Sequence, residues 1–121
     1  MNVVAMSAPS LARLNNLVAI VEELREIHPD MTLNQLIVLL QVAANPGISQ
    51  KDIMDKTGLA DSSASRIVSI LSEYGDRATG PFHLIELIPS KNDRRYKELF
   101  MTKKGRALID RLLNLMGKGL R

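Results

Sequence analysis

Residues 46–74, which read PGISQKDIMDKTGLADSSASRIVSILSEY, carry the pattern that decides the fold. Ser49 can cap a first helix, with Asp52 three residues later at the position of a capping-box partner. Gly58 permits the positive φ that a sharp turn after a helix needs, and Leu59 returns towards the core. The stretch therefore predicts two helices joined by a tight turn.

The second helix of this stretch has two faces of different chemistry. Asp61 can cap its beginning. Apolar residues recur at helical spacing along one face: Ala64, Ile67, Val68 and Leu71. The opposite face carries hydroxyls and one arginine: Ser62, Ser65, Arg66 and Ser69. Serine is a mediocre helix former, so a row of serines indicates a helix that enters a DNA groove, although an ordinary solvated face has the same composition.

Composition limits the classes of protein that the chain can represent. Its 121 residues suit one domain with a modest core. The absence of Cys excludes disulfides and thiolate metal sites, and the scarcity of aromatic residues argues against stacking on single-stranded nucleic acid or RNA. No apolar run approaches the ~18 residues of a membrane span, and no signal-peptide pattern opens the sequence. We therefore expect a soluble, cytoplasmic protein.

Charge is distributed unevenly along the chain. Residues 91–121 hold ten Lys and Arg against three acidic residues, whereas the first ninety residues hold six basic and ten acidic residues. A basic C-terminal third on an otherwise acidic chain favours contact with a polyanion. Runs of this kind are also often merely solvated.

Further helices are predicted on both sides of the helix-turn-helix, which spans 48–74. Helices over 10–28 and 103–119 carry apolar residues on two adjacent stripes, a face too broad for a lone small domain to cover. The part of this apolar face that a lone domain cannot cover is best buried against a second copy of the chain. Thr32 begins a central apolar helix, with Gln35 placed for a capping box.

Two short strands are predicted after the breaker-rich loop 76–83. They span Phe82–Ile88 and Arg95–Met101, with a turn-forming basic tip over Pro89–Arg94. A hairpin with a basic tip directly after a helix-turn-helix is the arrangement called a winged helix, with its wing over 82–101. The predicted fold class is mainly α with a small β-hairpin, as one winged helix-turn-helix domain over 1–121 with N- and C-terminal dimerisation helices.

This order of elements resembles the multiple-antibiotic-resistance regulator (MarR) family of winged-helix transcription factors. The resemblance covers about residues 32–112 and is carried by the helix-turn-helix and by Asp93-Arg94-Arg95 followed by Thr102 and Gly105. It implies a homodimer held by its N- and C-terminal helices. One recognition helix per subunit would enter successive major grooves, with wing arginines in the flanking minor grooves.

The resemblance implies which residues of this chain make each contact with DNA. The recognition positions are Asp61, Ser62, Ser63, Ser65 and Arg66, to which the hydroxyl stripe adds Ser69. The wing positions are Lys91, Asn92, Arg94 and Arg95. Arg95 matches the family's minor-groove arginine most closely, and Asp93 would orient an arginine instead of touching DNA.

The chain departs from the family at three places. Ala60 stands where the family usually has Ser, which shifts the helix cap to Asp61 or weakens it. The 76–83 loop lengthens the link to the wing. The sequence also runs only a short way beyond Leu112, where members usually continue into a further dimerisation helix.

These patterns favour a homodimeric, sequence-specific binder of double-stranded DNA that represses transcription. The alternative is a winged-helix protein-interaction or replication-assembly module, but the Ser and Arg stripe lacks the apolar anchor of a docking face. An enzyme is not expected, because His28 and His83 are far apart and lie in no metal-ligand spacing. No cofactor or metal is predicted. The resemblance implies a small-molecule effector that the residues themselves do not support.

Overall fold

The structure is a computed structural model that describes residues 4–117. Within that range it contains five helices and a three-stranded sheet. The elements are α1 (Ala8–Ile27), α2 (Leu33–Ala44), β1 (Ile48–Ser49), α3 (Gln50–Thr57), α4 (Asp61–Leu71), β2 (Ile85–Pro89), β3 (Lys97–Met101) and α5 (Lys103–Met116). This mainly helical winged helix-turn-helix confirms the predicted fold class.

The chain forms two compact units. The helical unit comprises the chain up to Met31 and again from Asp110, so it contains α1 and the second half of α5. The winged-helix unit comprises Thr32–Ile109, with the helix-turn-helix and all three strands.

The core of the winged-helix unit is built on α2 and α4. The predicted capping box at the start of α2 is confirmed, since the Thr32 hydroxyl accepts from Gln35 N–H and the Gln35 side chain accepts from Thr32 N–H. Side chains of this unit with little or no solvent exposure include Val38, Leu39, Val42, Ile53, Ala64, Ile67, Val68 and Leu71. The apolar stripe predicted for α4 is therefore confirmed as core.

The turn between α3 and α4 agrees with the sequence prediction, except at the N-cap of α4. Ser49 caps α3 by accepting from Asp52 N–H, and Gly58 has a φ of 75° in the left-handed region. The prediction that Asp61 caps α4 is wrong. Ala60 is the N-cap, and because its methyl group cannot accept a hydrogen bond the cap is weakened, which is the other outcome expected from Ala at this position. Asp61 lies in the first helical turn, where its charge favours the helix dipole.

The wing strands are shorter than predicted, and a third strand joins them. β3 pairs antiparallel with β2 on one side and with the two-residue β1 on the other. The predicted start of the first strand at Phe82 is wrong: the N–H groups of residues 82–84 donate to carbonyls at the end of α4 instead of to β3. The predicted second strand begins at Lys97 instead of Arg95, because residues 90–96 close the wing tip with their own hydrogen bonds.

The terminal helices differ slightly from the predicted 10–28 and 103–119. α1 begins at Ala8 because the Ser7 hydroxyl accepts from Ser10 N–H and because proline is tolerated in the first turn of a helix. It ends at Ile27. α5 is capped by Thr102, whose hydroxyl accepts from Gly105 N–H, and it ends at Met116. Residues 118 and 119 of the predicted helix lie outside the described residues.

The helical unit leaves much apolar surface uncovered. The Arg111 and Glu23 side chains form an ion pair at 3.3 Å, and the Asn16 amide donates to the Met116 carbonyl at 3.3 Å. Large apolar side chains nevertheless remain exposed: Leu11, Leu14, Leu17, Val18, Val21, Leu113 and Met116. No helix within residues 4–117 is both long and apolar enough to cross a membrane.

Candidate nucleic-acid interface

The outward face of α4 presents short polar side chains and one arginine. Ser62, Ser63, Ser65 and Arg66 are exposed, on the side of the helix away from its buried stripe. Backbone geometry requires this division, because residues three and four apart share one helical face. The predicted groove-reading residues of α4 are thus accessible together.

Two predicted recognition residues also hold local structure. Ser69 is half-buried, and its hydroxyl donates to the Gly75 carbonyl at 2.6 Å, which ties the end of α4 to the following turn. Asp61 is exposed, and its carboxylate accepts a hydrogen bond from the Gln50 side chain at 2.9 Å. Asp61 therefore links the first turns of α3 and α4.

The pre-wing loop, residues 75–83, contacts α4 directly. The Asp76 carboxylate accepts from Arg66 Nε at 2.8 Å and from the backbone N–H groups of Ala78 and Thr79. The hydrogen bond from Arg66 and, after it, those from Ala78 and Thr79 lower the pKa of Asp76 from 3.8 to about 2. Asp76 is therefore ionised at neutral pH.

The wing tip is closed by backbone hydrogen bonds that leave its basic residues outside. Ser90 N–H donates to the Tyr96 carbonyl at 2.9 Å, and Tyr96 N–H donates to the Asp93 carbonyl at 3.1 Å. The predicted wing residues Lys91, Asn92, Arg94 and Arg95 are all exposed. The tip therefore presents three positive charges on a short, closed loop.

Asp93 holds Arg95 in the way expected of a structural partner. Its carboxylate accepts from Arg95 Nη2 at 2.8 Å, from Nε at 3.1 Å and from the backbone N–H of the same residue at 3.0 Å. These bonds, first the side-chain and then the backbone ones, lower the pKa of Asp93, while the carboxylate raises the pKa of Arg95. The Arg95 side chain remains 83% exposed, and its guanidinium lies 6.0 Å from the centre of the Tyr96 ring.

A groove of about 650 Å³ separates the helix-turn-helix from the wing within the winged-helix unit. Its lining includes three basic side chains, Lys51, Arg95 and Lys97, together with Asp61 and the apolar side chains Met54, Val68, Leu87 and Leu99. Basic residues of α3 and β3 thus lie along the same groove as residues of α4. Lys51 and Lys97 were not among the predicted site residues.

Comparison with known proteins finds a family with similar sequence and fold. A family model described as the MarR family matches residues 30–75. The solved structure of the transcriptional repressor CouR bound to a 23-mer DNA duplex is 26% identical, with a TM-score of 0.64, over 92% of this chain and 71% of that chain. The chain is thus a winged-helix protein that is similar to the MarR family over residues 30–75.

Other MarR-family structures share the fold at lower identity. A mutant of S. aureus MepR bound to an oligodeoxyribonucleotide is 18% identical, with a TM-score of 0.68, over 94% of this chain and 79% of that chain. Wild-type MarR from E. coli in its apo form is also 18% identical, with a TM-score of 0.64, over 97% of this chain and 82% of that chain. At this identity the likeness shows the fold alone. A comparison with curated proteins gave no significant sequence match.

One contact within the candidate interface was missed from sequence. The loop sequence Asp76-Arg77-Ala78-Thr79 contains the local signal for an Asx turn, and the structure has that turn. The pairing of Asp76 with Arg66, ten residues earlier, has no local signal. Among residues 4–117, no three His, Asp or Glu side chains come together where they could hold a metal ion.

Proposed function

We propose that this chain is a homodimeric regulator of the MarR family that binds double-stranded DNA with sequence specificity and represses transcription by occupying a promoter. The observation that carries the proposal is the exposure, within one winged-helix unit, of the α4 polar face and the basic wing tip. The DNA duplex in the CouR structure, the match at 26% identity, supports the same reading.

The α4 face would read base edges in the major groove. Ser62, Ser63 and Ser65 are short enough for the helix backbone to approach the bases, and a serine hydroxyl can both donate and accept. Arg66 is the one side chain of this exposed face that can make a bidentate contact with guanine. Ser69 and Asp61 would contribute less, because their polar atoms already bond to Gly75 and Gln50.

The wing would supply affinity by contacting phosphates and the minor groove. Lys91, Arg94 and Arg95 are exposed cations on a closed loop, and Asn92 adds an exposed amide. Neutralising phosphates releases counterions, so these contacts should dominate the salt dependence of binding. Asp93 would hold the Arg95 side chain in position and thereby reduce the entropy lost on contact.

A second copy of the chain would cover the apolar surface of the helical unit. Seven large exposed apolar side chains of this unit lie on α1 and on the end of α5. Burying a leucine or valine side chain completely is worth about 1.5–3 kcal/mol, so even partial burial of several such residues would favour self-association. A two-fold dimer formed in this way would carry two recognition helices and would match a two-fold symmetric DNA site.

Selection from a random pool of duplex DNA tests the proposal. We expect the purified protein to enrich a two-fold symmetric motif, with a fixed spacing between half-sites. Retention of DNA without any motif, lost at moderate salt, would contradict sequence-specific readout and would favour a protein-interaction role. Reporter expression from a promoter that contains the selected motif would then distinguish repression from activation.

The wing is tested by Arg95→Ala with a salt titration of binding to the selected motif. We expect about tenfold weaker binding and a shallower dependence of affinity on salt, because about one phosphate contact is lost. Arg13→Ala is the matched control, since it removes an exposed arginine from α1 and should leave the slope unchanged. An unchanged affinity and slope for Arg95→Ala would refute the role of the wing.

A further inference from the structure

A single ion pair joins the pre-wing loop to the recognition helix. Asp76 Oδ2 lies 2.8 Å from Arg66 Nε. The Arg66 side chain is 66% exposed, whereas that of Asp76 is mostly covered. The Arg66 side chain is therefore exposed on α4, whereas the carboxylate that accepts its hydrogen bond is largely covered by the loop.

The carboxylate is itself held firmly by the loop. Asp76 Oδ1 accepts from Ala78 N–H at 2.8 Å and from Thr79 N–H at 2.6 Å, and Asp76 N–H donates to the Thr79 carbonyl. The loop is in turn joined to α4, because Gly75 exchanges hydrogen bonds with Ser69. The loop therefore fixes the position of the carboxylate that binds the Arg66 side chain.

The ion pair leaves the two terminal nitrogens of the Arg66 guanidinium available to contact DNA. Only Nε is engaged by Asp76, and within residues 4–117 the terminal nitrogens Nη1 and Nη2 make no hydrogen bond. Those two nitrogens can donate together to O6 and N7 of a guanine. A guanidinium fixed at Nε loses less rotamer entropy when it makes that contact.

We propose that Asp76 is a positioning residue for specificity: it sets the orientation in which Arg66 reads one guanine of each half-site. This inference rests on the proposed DNA-binding function. A carboxylate near DNA repels phosphates, so Asp76 weakens binding to any sequence while it favours the one contact that Arg66 makes. Both effects increase the ratio of specific to nonspecific affinity.

The substitution Asp76→Asn isolates the ion pair from the loop. Asparagine retains an oxygen that accepts from Ala78 and Thr79, so the Asx turn survives. It places an amide donor where Oδ2 accepted from Arg66, so the pair is lost. Glu73→Gln is the matched control, because it removes one negative charge from an exposed residue that forms no ion pair with residues 4–117.

The measurement is binding of each variant to the selected motif, to all single-base variants of one half-site, and to scrambled duplex. For Asp76→Asn we expect about 5- to 20-fold weaker binding to the motif and equal or tighter binding to scrambled DNA. The preference of the protein for guanine should weaken at one position of the half-site. This should be the same position at which Arg66→Ala abolishes the preference. Glu73→Gln should change binding to motif and to scrambled DNA by the same factor.

A double-mutant cycle shows whether Asp76 acts through Arg66. In the Arg66→Ala background, Asp76→Asn should leave the base preference unchanged, a result that a merely structural role for the loop would not give. Additive effects would overturn the inference, as would an unaltered base preference or tighter motif binding by Asp76→Asn. If the wild-type protein selects no motif at all, the proposed function fails and this inference fails with it.

Discussion

Two helices of this chain carry similar apolar stripes, but their surroundings differ. The stripe of α4, from Ala64 to Leu71, is at most 8% exposed within the winged-helix unit. The corresponding stripe of α1, which includes Leu14, Leu17, Val18 and Val21, is 41–55% exposed. The fold of a single chain buries the first stripe, whereas it leaves the second stripe exposed. Substitutions in the first should therefore act on folding, and substitutions in the second on self-association.

The largest effect is expected from Leu71→Ala in α4. Removing this fully buried side chain should lower the free energy of unfolding by about 2–5 kcal/mol, because it leaves a cavity in a packed core. Urea denaturation at a fixed protein concentration measures the change. Leu17→Ala, the matched substitution in α1, should cost the single chain much less, and an equal loss would remove the contrast between the two helices.

A smaller but specific effect is expected from Leu17→Glu in α1. A charge in the centre of the exposed stripe should raise the dissociation constant of the dimer by about 30-fold or more, since a buried unpaired carboxylate is strongly disfavoured. Sedimentation equilibrium measures self-association, and circular dichroism should show unchanged helix content. Glu26→Gln at an exposed position of the same helix is the control. An undisturbed dimer would mean that another surface holds the copies together.

The turn that folds α4 back onto its own unit should tolerate little change. At Gly58 an added Cβ would meet no atom within 4 Å, but the φ of 75° is strained for any residue with a side chain. Gly58→Ala should therefore destabilise the protein by about 1–2 kcal/mol through backbone strain alone. Gly117→Ala, which also meets open space, should stay within about 0.5 kcal/mol in the same thermal or urea measurement.

The smallest effect concerns the ion pair on the exposed face of α4. An NMR titration of the Asp76 carboxyl should give a pKa of about 2, and Arg66→Ala should raise that pKa towards 3.8, because the hydrogen bond from Arg66 is the largest cause of the shift. Since the folded-state pKa is depressed, any stability from this pair is present above about pH 4 and is lost as the pH falls towards 2. An unshifted pKa in the wild-type protein would mean that the pair does not form in solution.

Residue order is sufficient to predict the features that depend on neighbours three or four residues apart. These are the caps at Thr32 and Ser49, the glycine turn at Gly58 and the buried stripe of α4. Each needs only a local hydrogen bond, an allowed φ or helical periodicity, all of which can be read from residue order. The wing hairpin was predicted from strand and turn patterns, and the role of Asp93 in orienting an arginine was predicted from the family resemblance.

Features that join residues distant in sequence depend on the tertiary structure. The two-residue β1 is too short to show periodicity and exists because β3 offers it hydrogen bonds. Residues 82–84 follow a strand-like pattern, yet their N–H groups bond to the end of α4, because that helix leaves its last carbonyls without partners. The Asp76–Arg66 pair likewise depends on where the pre-wing loop lies against α4. Such pairings are fixed by the positions of whole elements, which residue order alone does not specify.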